Sequence, residues 1–179
     1  MKRLLLGGGV LLALVWAGLL ALGASQPEEH VASVQARFAV APEAVWAIVT
    51  DFEGHADWLS TMTSVRRGED VDGRPCWLYE GDFGPMPTVV DELTPTRLVT
   101  RIAPGADLGF EGTWTYTLTP EADGGCTLTL REDGRVTSLL FRGMGALFFD
   151  VHDSMAGWLS DLGARLGEAV EPQRVVLAD

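Results

Sequence analysis

His152 is the first residue whose type and position could do chemistry. It lies near Asp150 and Asp153, in a segment whose apolar residues recur at three- and four-residue steps, which predicts a helix. A histidine at the edge of an apolar stripe can act as an acid or a base, or bind a polar ligand head. The alternative is a histidine that only packs and hydrogen bonds. On a continuous helix neither aspartate faces it, because positions one or two apart point in different directions.

Carboxylates on predicted strands form a second group of candidates. One that turned into an apolar interior would have a raised pKa and become a usable acid, whereas a solvated sheet face is the simpler interpretation of each. We interpret His30 as part of a linker and His55 as a local structural residue in a turn. The four carboxylates are Glu80, Asp82, Glu92 and Glu111.

Motifs for the common catalytic chemistries are missing from the sequence. It contains no nucleophile elbow, phosphate loop, dinucleotide fingerprint or zinc-ligand spacing. We therefore predict no metal and no cofactor. No lysine follows Lys2, which disfavours covalent chemistry based on lysine.

The charge distribution narrows the range of partners. All acidic residues follow Ser25, and the formal net charge of the chain is −12. Such a surface repels phosphate backbones, so we exclude nucleic acid as a partner. The acidity is otherwise explained by solubility alone.

The N-terminal segment is the longest apolar run. Lys2 and Arg3 precede an uncharged stretch from Leu4 to Ala24, which as a helix is long enough to cross a hydrocarbon core of about 30 Å. The positive-inside rule then places the remainder outside the cytoplasm. A cleaved signal peptide is the alternative, with Ala21 and Gly23 as the small residues of its cleavage site.

These alternatives define the predicted organisation of the chain. Residues 1–25 are a signal anchor or a signal peptide, 26–30 a linker, 31–171 one domain, and 172–179 a loose tail. The domain is predicted to be membrane-anchored in the periplasm or at the cell surface, or secreted if the segment is cleaved.

The spacing of the apolar residues predicts the helices and strands that position the candidate residues. An alternating strand from Ser33 precedes a helix that begins at Pro42 and a second short helix before Trp58. Strand and turn patterns fill residues 62–136, with an Asp72-Gly73 hairpin signal. One long amphipathic helix is predicted over 138–170, with Arg142 on its polar side. Antiparallel strands with helices on one face give an α+β fold.

Several of these segments resemble the START-like superfamily, also called SRPBCC or polyketide cyclase/dehydrase and lipid-transport domains. The similarity lies in the passage from Phe38 to Trp46, in Val49–Phe52 with Trp58, and in the strand 114–120 that leads into 124–129. The long final helix completes it, so that the resemblance covers about residues 31–170. It is specific for the fold and not for the function, because members share a shape while their ligands differ.

The resemblance implies a helix-grip fold, in which a curved antiparallel sheet of about seven strands wraps around the C-terminal helix and an apolar cavity. The residues expected to line that cavity are Trp77, Tyr79, Trp114, Tyr116, Phe148, His152, Met155 and Trp158. The family's strand order also places Cys76 and Cys126 four strands apart. At about 4.8 Å per strand that is too far for a disulfide, so both thiols are expected to be unpaired.

Three functions remain open at this level. The first is binding or transfer of a hydrophobic small molecule, such as a lipid, quinone or polyketide-like compound, at the outer face of a membrane. The second is a cyclase or dehydratase that uses His152 or a buried carboxylate. The third is a non-catalytic accessory domain with a filled core.

Overall fold

The computed structural model of this chain describes residues 2–81 and 84–176, with side chains described from Leu12 onward. The predicted candidate Asp82 lies outside the described residues. The helices are α1 (Lys2–Ser25), α2 (Pro42–Val49), α3 (Leu139–Phe148) and α4 (Val151–Leu166), with a 3-10 helix at Glu53–Asp57. The strands are β1 (Glu29–Phe38), β2 (Met62–Arg67), β3 (Cys76–Gly81), β4 (Met86–Leu93), β5 (Arg97–Ile102), β6 (Phe110–Pro120), β7 (Cys126–Val136) and β8 (Gln173–Arg174).

The eight strands form one antiparallel sheet in the order β2-β3-β4-β5-β6-β7-β1-β8. The helix-grip α+β fold is therefore confirmed, with eight strands instead of about seven. The additional strand lies in the segment predicted as a loose tail, where Arg174 pairs with Val34. An unpaired strand edge readily accepts another segment, and β8 fills that position beside β1.

The start of the first strand also differs from the prediction. The strand begins at Glu29, four residues before the expected Ser33, because Glu29 and His30 pair with Arg135 and Gly134 of β7. His30 is therefore a strand residue and not a linker residue. Polar side chains at this end of β1 hide the alternating pattern that identifies its apolar part.

The C-terminal helix is two helices, where the sequence predicted one. Phe149 and Asp150 have extended backbones that separate α3 from α4, and the Asp150 side chain accepts a hydrogen bond from the backbone N–H of His152 as the N-cap of α4. Aspartate is among the best N-cap residues, and here that preference ends one helix and begins the next. Helix α4 stops at Leu166, before Gly167, whose positive φ terminates it.

The core between the sheet and α4 has two different halves. Aliphatic and phenyl side chains fill one half, where Phe38, Leu128 and Leu159 are fully buried. Aromatic side chains fill the other half, around Trp158, and several of their rings remain partly exposed. The second half is the more open part of the interior.

Helix α1 packs against α3 at two glycines. A Cβ atom on Gly143 would lie 2.2 Å from the carbonyl oxygen of Leu19, and one on Gly23 would lie 1.9 Å from that of Leu139. Large apolar side chains of both helices stay exposed to solvent, Trp16 and Phe148 among them. Across the fully described residues, which include α1 only from Leu12 onward, no helix is both long and apolar enough to cross a membrane.

The two cysteines are free and buried, as expected. Cys76 lies on β3 and Cys126 on β7, four positions apart in the sheet. Burial raises the pKa of both thiols, that of Cys126 to about 11. Neither thiol is therefore an activated nucleophile at neutral pH.

Candidate functional site

The inward face of the sheet is defined by its register. Tyr116 of β6 pairs with Leu130 of β7 and with Leu98 of β5, and all three point toward α4. Because side chains alternate along a strand, Trp114 and its partner Glu132 share that face. Trp77 and Tyr79 of β3 lie on the same face, farther along the sheet.

An aromatic cluster occupies the open half of the interior. The Trp158 ring of α4 lies 5.2 Å from the rings of both Trp58 and Tyr116, and Phe52 stacks on Trp77 at 5.2 Å. Tilted and edge-on arrangements at these distances are the favourable ones for aromatic pairs. Together with Met155, these rings form an apolar surface between sheet and helix.

His55 and Tyr79 form a buried hydrogen-bonded pair at the wall of this cluster. His55 Nδ1 lies 2.8 Å from the Tyr79 hydroxyl, and its Nε2 lies 3.0 Å from the Val49 carbonyl. A carbonyl only accepts, so Nε2 carries the proton and the tyrosine donates to Nδ1. Burial lowers the pKa of His55 and raises that of Tyr79 well above its ordinary value. Both groups are neutral at pH 7.

A second polar group on the inward face is centred on Glu132. Its Oε2 accepts a hydrogen bond from Trp114 Nε1 at 2.8 Å, and its Oε1 lies 3.0 Å from His30 Nε2. The hydrogen bond with Glu132 raises the pKa of His30. Trp114, Glu132 and His30 are called the Glu132 cluster below.

Two glycines make room for the Glu132 cluster. Gly112 and Gly134 are cross-strand partners, adjacent to the pair formed by Trp114 and Glu132. A Cβ on Gly134 would lie 2.3 Å from the His30 ring, and one on Gly112 would lie 3.1 Å from the Trp114 ring. The missing side chains leave room for both rings.

The predicted cavity residues are brought together only in part. Trp77, Tyr79, Tyr116, Met155 and Trp158 join one cluster, and Trp114 lies beside Glu132 on the same face. Phe148 does not join them: it is 80 % exposed on α3. The helix break explains this, because it uncouples the orientation of α3 from that of α4.

His152 lies in the first turn of α4, with its side chain 28 % exposed. Its Nδ1 lies 3.3 Å from Asp150 Oδ1. The expectation that Asp150 points away from it was wrong, because Asp150 caps the helix and is not part of it. Arg174 of β8 also binds Asp150 and Asp153, at 2.8 Å each. His152 thus lies beside a surface network of ion pairs.

The described carboxylate candidates lie on the outer face of the sheet. Glu80 contacts Arg66 and Ser64, Glu92 binds Arg97, and Glu111 is exposed opposite Arg135. Sequence analysis did not single out Glu132, the carboxylate that does point inward. The alternation of Leu128 and Leu130 along β7 continues to position 132, and this was the available signal.

Two pockets border these surfaces. A groove of about 720 Å³ lies beside the 103–109 loop, and its lining includes charged residues of the outer face, such as Arg101 and Arg135, together with His30, Gly112 and Gly134 of the inward face. On the inward side, a space of about 10 Å³ borders Tyr79, Met62 and Met86. The pocket beside Tyr79 is too small for a ligand in this conformation.

Comparisons with known proteins agree with this architecture. A sequence model of the family described as "Polyketide cyclase / dehydrase and lipid transport" matches residues 29–166. No protein of curated function matches the chain significantly in sequence.

Solved structures share the fold at low sequence identity. A START superfamily protein from Mycobacterium smegmatis aligns with a TM-score of 0.60 at 17% identity, over 77% of this chain and 97% of its own. The aromatase/cyclase Zhui from Streptomyces sp. R1128 aligns with a TM-score of 0.59 at 15% identity, over 75% of this chain and 91% of its own. Norcoclaurine synthase from Thalictrum aligns with a TM-score of 0.59 at 12% identity, over 77% of this chain and 94% of its own. With the family match over most of its length, the chain belongs to the polyketide cyclase/dehydrase and lipid transport family, the SRPBCC or START-like group.

Proposed function

We propose that this protein binds a hydrophobic small molecule between the inward face of the sheet and α4, and holds or transfers it. The observation that carries the proposal is the two-part core. Aliphatic side chains close one half completely, whereas Trp58, Trp77, Tyr116 and Trp158 of the other half keep part of their surface exposed. Aromatic walls with a few polar groups are typical of small-molecule sites.

Movement of these rings is part of the proposal. The pocket beside Tyr79 is about 10 Å³, whereas ligand sites are typically about 300–1,000 Å³. A ligand of that size requires the rings of the aromatic half to move apart.

Binding is tested with the full chain and the neutral dye Nile red. We expect saturable dye fluorescence, competition by an apolar compound, and at least a several-fold loss of affinity in Trp158→Leu. Trp16→Leu is the matched control, because Trp16 lies on exposed α1, where non-specific adsorption would occur. Equal loss in both variants, or no saturable binding, would overturn the proposal.

The proposed location is the outer face of a membrane. It rests on the apolar run 4–24 after Lys2 and Arg3, and on the exposed apolar side chains of α1. Extraction of membranes with alkaline carbonate tests it: an uncleaved anchor stays in the pellet. A chain that is found in the soluble fraction with residues 1–25 intact would contradict the anchor.

Glu132 is the observation that favours a second function, a cyclase or dehydratase. It is a carboxylate on the inward face beside a histidine, and such pairs can move protons. The test is turnover of a linear poly-β-ketone thioester, followed by mass spectrometry for loss of water. We expect Glu132→Gln to abolish such turnover and His152→Phe to preserve it. Turnover that survives Glu132→Gln would exclude this mechanism.

A further inference from the structure

The Glu132 carboxylate has unused capacity to accept hydrogen bonds. It receives one bond from Trp114 and one from His30, whereas the two oxygens of a carboxylate have about four acceptor positions. Its side chain is only 16 % exposed, so water does little to satisfy the rest. A partly buried carboxylate with free acceptor positions is a site for a donor.

The carboxylate is continuous with the aromatic cluster. Tyr116 is two residues from Trp114 on β6, and its cross-strand partner Leu130 is two residues from Glu132 on β7. Two residues of a strand span about 7 Å, which is within the length of a medium apolar chain. Burial raises the pKa of Tyr116, and so does the nearby charge of Glu132. Among the described residues the Tyr116 hydroxyl has no hydrogen-bond partner.

Three basic groups of the described residues are each paired with an acidic group. His30 is paired with Glu132 itself, and Arg142 of α3 binds Glu28 and the Gln26 carbonyl. Arg67, at the far edge of the sheet, lies over Trp77 and binds Asp70. Because these cations are paired, a ligand carboxylate would meet the charge of Glu132, and like charges repel.

We propose that Glu132 is the polar end of the ligand site, and that the site selects apolar molecules ending in a hydrogen-bond donor, an alcohol or an amine, over those ending in a carboxylate. This selectivity rests on the function proposed above. The apolar body lies against the rings of Tyr116 and Trp158, and the donor reaches Glu132.

Matched twelve-carbon ligands test the selectivity on the full chain. Binding of 1-dodecanol, dodecylamine and dodecanoate, each below its micelle concentration, is measured by Nile red displacement and native mass spectrometry. We expect the alcohol and the amine to bind at least about tenfold more tightly than dodecanoate, as a hydrogen bond to a charged acceptor implies. In Glu132→Gln the preference for the amine over dodecanoate should fall by about tenfold.

Glu111→Gln is the control for overall charge. It removes one carboxylate from the same region of the sheet, but on the outer face. Equal changes in Glu111→Gln and Glu132→Gln would mean that the net charge attracts the amine, and would overturn the proposal. Dodecanoate binding as tightly as the other two would also overturn it, while leaving the proposed function standing. If none of the three ligands binds, both proposals fail.

Discussion

Arg142 Nη2 on α3 lies 3.4 Å from Oε1 of Glu28, the residue before β1, and this pair connects the α1–β1 junction to α3. The Arg142 side chain is only 9 % exposed, and among the described residues its Nε is buried without a hydrogen-bond partner. The pair thus holds a charge that water scarcely reaches.

Removing the partner of that charge should destabilise the fold. Because Glu28 itself is partly exposed, we expect Glu28→Gln to lower the free energy of unfolding by about 1–2 kcal/mol, less than for a fully buried pair. Urea denaturation followed by circular dichroism measures this. Glu29→Gln, one residue on, is the control and should change stability by less than about 0.5 kcal/mol. Equal effects would show that Arg142 does not depend on Glu28.

The hydrogen bond from Tyr79 to His55 should contribute to stability. Tyr79→Phe leaves the buried Nδ1 of His55 without a donor, which costs about 1–3 kcal/mol. Tyr116→Phe is the matched control, since the Tyr116 hydroxyl makes no hydrogen bond among the described residues, and it should change little. Both are measured by urea denaturation at pH 7.5. A Tyr116→Phe variant that loses as much stability would contradict the assigned role.

His30 should make stability depend on pH in a defined direction. Its pKa is raised from 6.5 by Glu132, so the pair stabilises the fold fully below about pH 6.5 and loses that contribution as the pH rises through the raised value. The difference in unfolding free energy between wild type and His30→Gln should therefore be larger at about pH 5.5 than at about pH 8.5.

Gly134→Ala is a second test of the same pair. The added Cβ would displace the His30 ring from Glu132, so the pKa of His30, followed by NMR, should fall toward 6.5. If the stability difference grows with pH, or if the pKa of His30 is unchanged in Gly134→Ala, the Glu132 cluster is not the cause of the pH dependence of stability.

The packing of α1 on α3 predicts opposite effects of two similar substitutions. Gly143→Ala should push Leu19 away and separate the helices, because the added Cβ would meet a backbone carbonyl. Gly145→Ala has open space and should stabilise α3 by up to about 1 kcal/mol through helix propensity. Limited proteolysis of the 26–28 junction reports the separation. Faster cleavage of Gly145→Ala would contradict the contact between α1 and α3. So would cleavage of Gly143→Ala at the rate of the wild type.

Local sequence patterns were enough to predict much of the fold. Pro42 begins α2, and Asp72 and Gly73, both with positive φ, form the turn between Val71 and Arg74. Ser138 caps α3 where the long helix was predicted to begin. These features were predictable because each depends on a few adjacent residues.

Tertiary structure decided the features that matter most for the site. His30 appeared to be a linker residue because its strand partners lie more than 100 positions away. Arg142 appeared solvated because Glu28 and the Gln26 carbonyl meet it only in the folded chain. Glu132 acquired its partners from β1 and β6. Apolar periodicity determined which faces are buried. The meeting of distant polar side chains depends on strand register, which the sequence of one strand does not encode.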